Sequence, residues 1–177
     1  DYLFLDNETS RARMRQLINE FNQQTTRSPF HAGVSYEQDR EDLRLQLQSF
    51  FDPENGGPGD PQPPQTRKTI AALMAPHIDL RAGGPSFAYA YKALVEASPV
   101  STCVILGTGH EPLANCFALS RKNFETPLGS VAADNDFIDE LTSRCSLDLA
   151  HSAWPTIHGG VGKQGVRLHG LEQAPDL

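Results

Sequence analysis

The sequence predicts an α/β fold, in which a mostly parallel sheet is flanked by helices. Two apolar runs, "TIAALMA" at residues 69–75 and "VSTCVILG" at residues 100–107, are each typical of a buried strand. Between them lies "PSFAYAYKALVEA", a helix that we expect Pro85 to start at its first turn. The order strand, helix, strand indicates a βαβ unit and a parallel sheet.

Two helices are predicted before this unit. The first, "SRARMRQLINEFN", has Ser10 as its expected N-cap. Its apolar residues recur at helical spacing: Met14, Leu17, Ile18 and Phe21. The second, "DREDLRLQLQSFF", begins after a possible cap at Asp39. Its leucines also alternate as in a strand, but the run is long for an isolated strand, so a helix is favoured.

Two further elements are predicted after the βαβ unit. "CFALS" at residues 116–120 is typical of a third strand. "DNDFIDELTSRC" is typical of a capped helix, with Phe137, Ile138 and Leu141 facing inward.

Composition and charge exclude several classes of partner. At 177 residues the chain is long enough for one domain with a real core. Its formal charge of −7 argues against binding to nucleic acid or to an anionic membrane surface. No apolar stretch approaches the roughly 20 residues that span a bilayer. The three cysteines show no C-x-x-C spacing, so a reducing cytoplasm is the expected location.

Changes in composition divide the chain into segments. Residues 1–27 form an amino-terminal helical extension, and residues 28–150 form the α/β domain. A linker at residues 52–66, "DPENGGPGDPQPPQT", interrupts that domain. Residues 151–177 are a Gly-rich tail to which no packed element is assigned. The chain starts at Asp1 without methionine, so we expect it to be the interior of a longer or processed product.

A histidine follows each of the two predicted central strands. His77 ends the run "ALMAPH" and His110 ends the run "VILGTGH". Ligands bind outside the carboxyl ends of parallel strands, so the two imidazoles could share one crevice as metal ligands. Asp79 and Glu111 could orient an imidazole or supply a carboxylate. The alternative is that both are ordinary surface or hydrogen-bonded histidines.

Three longer blocks carry a resemblance to a known family. "SPFHAGVSYEQDREDLRLQLQSFF", "IAALMAPHIDLRAGGPSFAYAYKAL" and "CVILGTGHEPLANCFALSRKNFETPLGSV" resemble successive blocks of the Memo-like family. The closest likeness is to the bacterial AmmeMemoRadiSam system protein B. The resemblance runs from about Ser28 to Leu141. It implies the fold of class III extradiol (LigB-type) dioxygenases.

The resemblance also implies a site and its partners. His77 and His110 match the metal ligands of the family, with iron or copper favoured over zinc. His31 is similar to a histidine near the same cleft, although a structural role in its own loop is equally reasonable. An AMMECR1-like protein and a radical SAM protein are the implied partners.

The sequence departs from the family pattern at two places. After A-P-H it reads "IDLRAGG", where the family commonly has glycine and tyrosine nearby. Past Cys145 it lacks the expected acidic-histidine block and the half that carries a third ligand. The fold and the metal site are therefore expected to be incomplete, and this chain alone is expected to bind a metal weakly or not at all.

Two functions follow from these observations. The first is a metal-dependent oxidoreductase with dioxygenase-like chemistry, whose catalytic residues the sequence does not identify. The second is a non-catalytic adaptor that uses the same cleft for a protein or peptide. Replacement of His77 and His110 separates them, because only the first function requires metal uptake.

Overall fold

The structure is a computed structural model that describes residues 6–63, 69–108 and 119–146, together with the backbone of a strand at 166–170. The helices in these ranges are α1 (Glu8–Gln23), α2 (Arg40–Ser49), α3 (Leu80–Val95) and α4 (Asn135–Arg144). The strands are β1 (Thr26–Arg27), β2 (Thr102–Leu106), β3 (Asn123–Thr126), β4 (Gly129–Val131) and β5 (Val166–Gly170). None of these helices combines the length and apolar character needed to cross a membrane.

The strands form two small sheets. In the first, of order β1-β3-β4, β1 pairs with β3 in parallel and β3 pairs with β4 antiparallel. In the second, β2 pairs antiparallel with β5. The α/β class is confirmed, with helices and a sheet that contains a parallel pair. The predicted domain limits stay a prediction.

Helix α2 confirms the helical interpretation of the leucine-rich run. The Asp39 carboxylate accepts hydrogen bonds from the backbone N–H groups of Glu41 and Asp42, at 2.8 and 3.2 Å. Leu43 is buried, whereas Leu45 is 64% exposed. The alternating pattern therefore does not describe one buried face, and the predicted cap is confirmed.

Two predicted helix starts are wrong. Helix α1 is capped by Asn7, whose side chain accepts from the Ser10 N–H at 2.9 Å, so Ser10 lies inside the helix. Helix α3 begins at Leu80 after an Asp79 cap, and Pro85 lies inside the helix. A carboxylate that accepts the free N–H groups of a first turn stabilises an earlier start. The missing N–H of Pro85 then costs the helix one internal bond.

The strand predicted at residues 69–75 is wrong, because this segment forms neither strand nor helix. An extended segment becomes a strand only where a neighbour supplies backbone hydrogen bonds. Within the described ranges, no strand pairs with it. Its side chains are largely exposed, and Met74 is 92% exposed. The expected βαβ unit is therefore absent there, and the parallel pair comes from β1 and β3.

Three smaller expectations need correction. Strand β2 is present but not buried, since Leu106 is 71% exposed and Cys103 is only half-buried. The strand predicted at "CFALS" stays a prediction, because residues 116–118 lie outside the described residues and Leu119 forms an isolated bridge. On α4, Ile138 is fully buried and Leu141 packs beside it, but Phe137 is exposed. The tail does contain a paired element, strand β5.

Helices α2 and α3 pack through a glycine. The Phe50 ring lies so close to Gly84 that a Cβ on this residue would overlap the ring. Gly57 lies equally close to the backbone of Phe50 and Phe51, and the Gly59 N–H donates to the Phe51 carbonyl at 2.7 Å. The start of the Pro/Gly-rich segment therefore folds back onto the end of α2.

The same segment is also attached to α3. The Lys92 ammonium donates to the backbone carbonyls of Gly59 and Asp60, at 3.2 and 2.6 Å. It also forms an ion pair with Glu96 at 3.1 Å, and Glu96 accepts from the Gln62 N–H at 2.9 Å. These contacts make residues 52–62 a docked loop rather than a free tether.

Helix α1 is attached to the first sheet through Lys122. The Lys122 ammonium donates to the carbonyl of Phe21 at 2.7 Å and to the carbonyl of Gln24. The same ammonium lies 4.3 Å from the centre of the Phe21 ring. One lysine therefore binds two backbone carbonyls at the end of α1 and holds the helix beside β3.

We predict that Gly84→Ala destabilises the protein, although alanine favours helices by about 1 kcal/mol. The added Cβ overlaps the Phe50 ring, and overpacking of this kind costs about 1–3 kcal/mol. Urea unfolding followed by circular dichroism measures the change. The matched control is Gly83→Ala, whose Cβ meets the exposed Ile78 side chain, which can move away. Equal stability of the two variants would contradict the packing described here.

Candidate functional site

His77 lies in an exposed turn that leads into α3, and residues 77–81 are called the His77 turn below. The Asp79 side chain accepts from the Arg81 N–H at 2.9 Å. The Asp79 carbonyl accepts from Ala82 and Gly83, both at 3.0 Å. His77 is therefore presented from a turn whose backbone is fixed by a helix cap rather than from the end of a strand.

His31 lies in a second ordered loop, residues 30–37, called the His31 loop below. The His31 carbonyl accepts from the N–H groups of Val34 and Ser35, at 3.0 and 2.9 Å. The Gly33 N–H donates to the Tyr36 carbonyl at 2.8 Å, and Gly33 has a φ of +79°, which favours glycine. The half-buried His31 ring packs edge-on against Phe30, with 5.6 Å between ring centres.

The His31 loop and the His77 turn are joined by side-chain contacts. The Arg81 guanidinium donates to the Val34 carbonyl at 2.7 Å and reaches the Glu37 carboxylate at 3.4 Å. The Ser35 side chain forms a hydrogen bond with the Asp79 carboxylate. At its far end the loop is held by α2, since the Glu37 N–H donates to the Gln46 side chain at 3.1 Å.

The pKa of Asp79 is held below its usual value. The main cause is the backbone N–H of Arg81, followed by the hydrogen bond with Ser35. The positive charges of Arg81 and His31 lower it further. His31 is thus close enough to Asp79 for their charges to interact, which places both beside the turn that carries His77.

The structure places only some of the predicted site residues. Asp79 lies at the start of α3, two residues after His77, and His31 is close enough to lower its pKa. His110 and Glu111 lie outside the described residues. Arg81 and Ser35 belong to the same cluster, and neither was among the predicted site residues. The signal for Arg81 was the departure from the family pattern after A-P-H.

The residues at this site fit a metal only in part. Within the described ranges, no three His, Cys, Asp or Glu side chains are grouped so that they could hold a metal ion. The Asp79 carboxylate caps α3 and interacts with Ser35, and its predicted role as an orienting or coordinating group stays a prediction. The described part of the site therefore offers His77 as one exposed imidazole, with His31 nearby, and no step through a metal follows from it.

A separate cleft lies at the carboxyl end of α2 and has a volume of about 390 Å³. Its walls come from the last turns of α2 and from the docked loop. The lining residues are Leu45, Gln48, Ser49, Phe51, Asp52, Pro53 and Asp60. Of the predicted site residues that the structure describes, His31, His77 and Asp79, none lines this cleft, so it is a different surface from the His31 and His77 cluster.

The segment that contains this cluster matches a family model. Residues 27–155 match the model described as "Memo-like protein". The chain belongs to the Memo-like family. The match includes the His31 loop, the His77 turn and position 110, so the family membership predicted from the sequence blocks is confirmed.

Curated relatives of this Memo-like chain include proteins from archaea, a bacterium and an animal. It is 37% identical over 123 residues to a MEMO1 family protein of Methanopyrus kandleri, a match that covers 68% of this chain and 43% of the relative. It is 34% identical over 133 residues to the "Protein memo-1 homolog" of Caenorhabditis elegans, a match that covers 75% of this chain and 35% of that relative. The chain thus spans less than half of each relative. No solved structure matches it.

We predict that the stabilising effect of the Asp79 charge disappears in acid. Because the folded pKa lies below the usual 3.8, the effect is complete above pH ~5 and is lost as the pH falls through the folded pKa. Asp79→Asn keeps an acceptor for the Arg81 N–H but does not titrate. The difference in urea midpoint between the wild type and this variant should therefore shrink from pH 5 to pH 2. A difference that stays constant over this range would contradict the assignment.

Proposed function

We propose that this Memo-like chain is a metal-binding protein of the AmmeMemoRadiSam type, and that His77 and His110 are its metal ligands. The observation that carries the proposal is an exposed His77 on a turn that is fixed by the Asp79 cap and joined by Arg81 to the loop that carries His31. A ligand on a fixed turn loses little conformational freedom when it coordinates a metal. The family match also extends across position 110.

The proposed metal is a divalent transition metal, with iron or copper favoured over zinc. Such a metal, when bound, supplies redox chemistry toward O₂, and a dioxygenase-like oxidoreductase is the reaction class proposed for the whole protein. In this chain the Asp79 cap fixes the backbone that carries His77. His31 contributes, as the smallest of several causes, to the lowered pKa of Asp79. The proposal includes a reducing, cytoplasmic location, where Cys103 and Cys145 stay free thiols.

We predict that metal binding depends on both proposed ligands. The full chain is loaded anaerobically with Fe(II), Cu and Zn in turn, and bound metal is measured after desalting. The wild type is expected to retain more metal than His77→Ala/His110→Ala, which should lose most of it, because a site without imidazoles holds these metals weakly.

The control for this experiment is His158→Ala, which removes a histidine outside the proposed ligand set. This variant should bind as much metal as the wild type. Monodispersity is checked in every sample, so that loss of metal is not confused with loss of folding. Equal, negligible metal in well-folded wild type and double variant would overturn the metal proposal for this chain.

Exposed apolar side chains favour a second function, that of an adaptor for a protein partner. Met74 and Ile78 lie on either side of His77 in sequence, and Phe30 and Val34 lie in the His31 loop. All four are exposed. Apolar groups at such a surface are typical of protein interfaces. We propose an AMMECR1-like protein as the partner, with a radical SAM protein as a further member of the assembly.

We predict that Met74→Lys weakens binding of an AMMECR1-like protein at least about tenfold, because an apolar interface would have to bury the new charge. Isothermal titration calorimetry measures the affinity. Met14→Lys is the matched control, since Met14 is an exposed methionine on α1, far from this segment in sequence. His77→Ala should leave the affinity unchanged if the chain is an adaptor. Equal binding by both methionine variants would contradict this surface.

A further inference from the structure

The His77 turn contacts the His31 loop through one negatively and one positively charged side chain. From the turn come a carboxylate, Asp79, and a guanidinium, Arg81. From the loop come a hydroxyl and a carbonyl, on Ser35 and Val34. The hydroxyl bonds to the carboxylate, and the guanidinium donates to the carbonyl at 2.7 Å. The turn therefore accepts in one of these contacts and donates in the other, and both contacts join the same two segments.

Arg81 adds a third contact, with Glu37 at the end of the loop, at 3.4 Å. Glu37 is also where α2 holds the loop, through the bond from its N–H to Gln46. One arginine therefore spans the loop from Val34 to Glu37 with two of its nitrogens. A planar guanidinium can do this, whereas a lysine ammonium concentrates its donors at one point.

The His31 loop is held together by backbone hydrogen bonds of its own. Its own backbone bonds run from His31 to Val34 and Ser35, and from Gly33 to Tyr36. A loop with internal bonds moves as a unit when one of its ends is displaced. His31 is therefore mechanically connected to the turn that carries His77.

We propose that Asp79 and Arg81 clamp the His31 loop onto the His77 turn, so that His31 and His77 respond together when one divalent metal binds. The inference rests on the proposed function for its ligand, and it makes Arg81 a positioning residue. The residues of the clamp belong to the stretch "IDLRAGG", where this chain departs from the usual family sequence.

The test uses the full chain with ¹⁵N-labelled histidine, titrated with Zn²⁺ and followed by the imidazole resonances. In the wild type, the His31 and His77 resonances should shift with the same midpoint. In Arg81→Ala, the His77 shift should remain while the His31 shift is lost, and the midpoint should rise about two- to fivefold. Arg81→Lys should restore part of the His31 response, because it can replace one of the two donors.

A matched control is available in Arg121→Ala. Arg121 has the same 48% side-chain exposure as Arg81 and also pairs with a carboxylate, Asp139, at 2.6 Å. This variant should behave as the wild type. A wild type in which Zn²⁺ shifts His77 but not His31 would overturn the clamp and leave the metal proposal intact, as would an Arg81→Ala variant with an unchanged His31 response.

A metal-free measurement separates the two proposals. Amide hydrogen exchange of Val34 and Ser35 should be slow in the wild type and at least several-fold faster in Arg81→Ala, with Arg121→Ala unchanged. If Zn²⁺ shifts neither histidine, the metal proposal fails, and this exchange rate then decides whether the clamp exists. Equal exchange in Arg81→Ala and the wild type would refute it.

Discussion

The contact between the Phe50 ring and the backbone of Gly84 sets the distance between α2 and α3, and the candidate site depends on that distance. Helix α2 holds the His31 loop through Gln46, and α3 begins at the turn that carries His77. The loop can reach Arg81 only if the two helices lie at this spacing. A larger residue at position 84 would push the helices apart and would stretch the contact from Arg81 to Val34.

The parts of the fold that sequence could predict are those with local causes. Helix α2 was predictable because its cap, Asp39, and its apolar spacing lie within the element itself. The segment at residues 69–75 was mispredicted because a strand needs a partner, and apolar composition does not say whether one is within reach. The start of α3 was mispredicted because proline is common in the first turn of a helix. The aspartate before "LRAGG", Asp79, is an equally good start signal.

For the site, the sequence indicated His31, His77 and Asp79 but not how they are joined. Asp79 was expected to orient an imidazole or to supply a carboxylate, and the sequence did not indicate that it also caps α3 and interacts with Ser35. The contact between Arg81 and Val34 joins residues 47 positions apart. No local pattern marks such a contact, because it follows from the packing of α2 on α3. The family assignment was possible without it, since the matching blocks are contiguous in sequence.

The exposed, extended segment at residues 69–78 has a consequence for the covalent continuity of the chain. Backbone of this kind is where a protease cuts first, and a cut there would separate α1 and α2 from α3. The two pieces would stay associated. Phe50 would still lie on Gly84, Arg81 would still hold Val34, and Lys92 would still bind the docked loop. A nicked molecule would then behave as one particle in its native state and as two polypeptides once denatured.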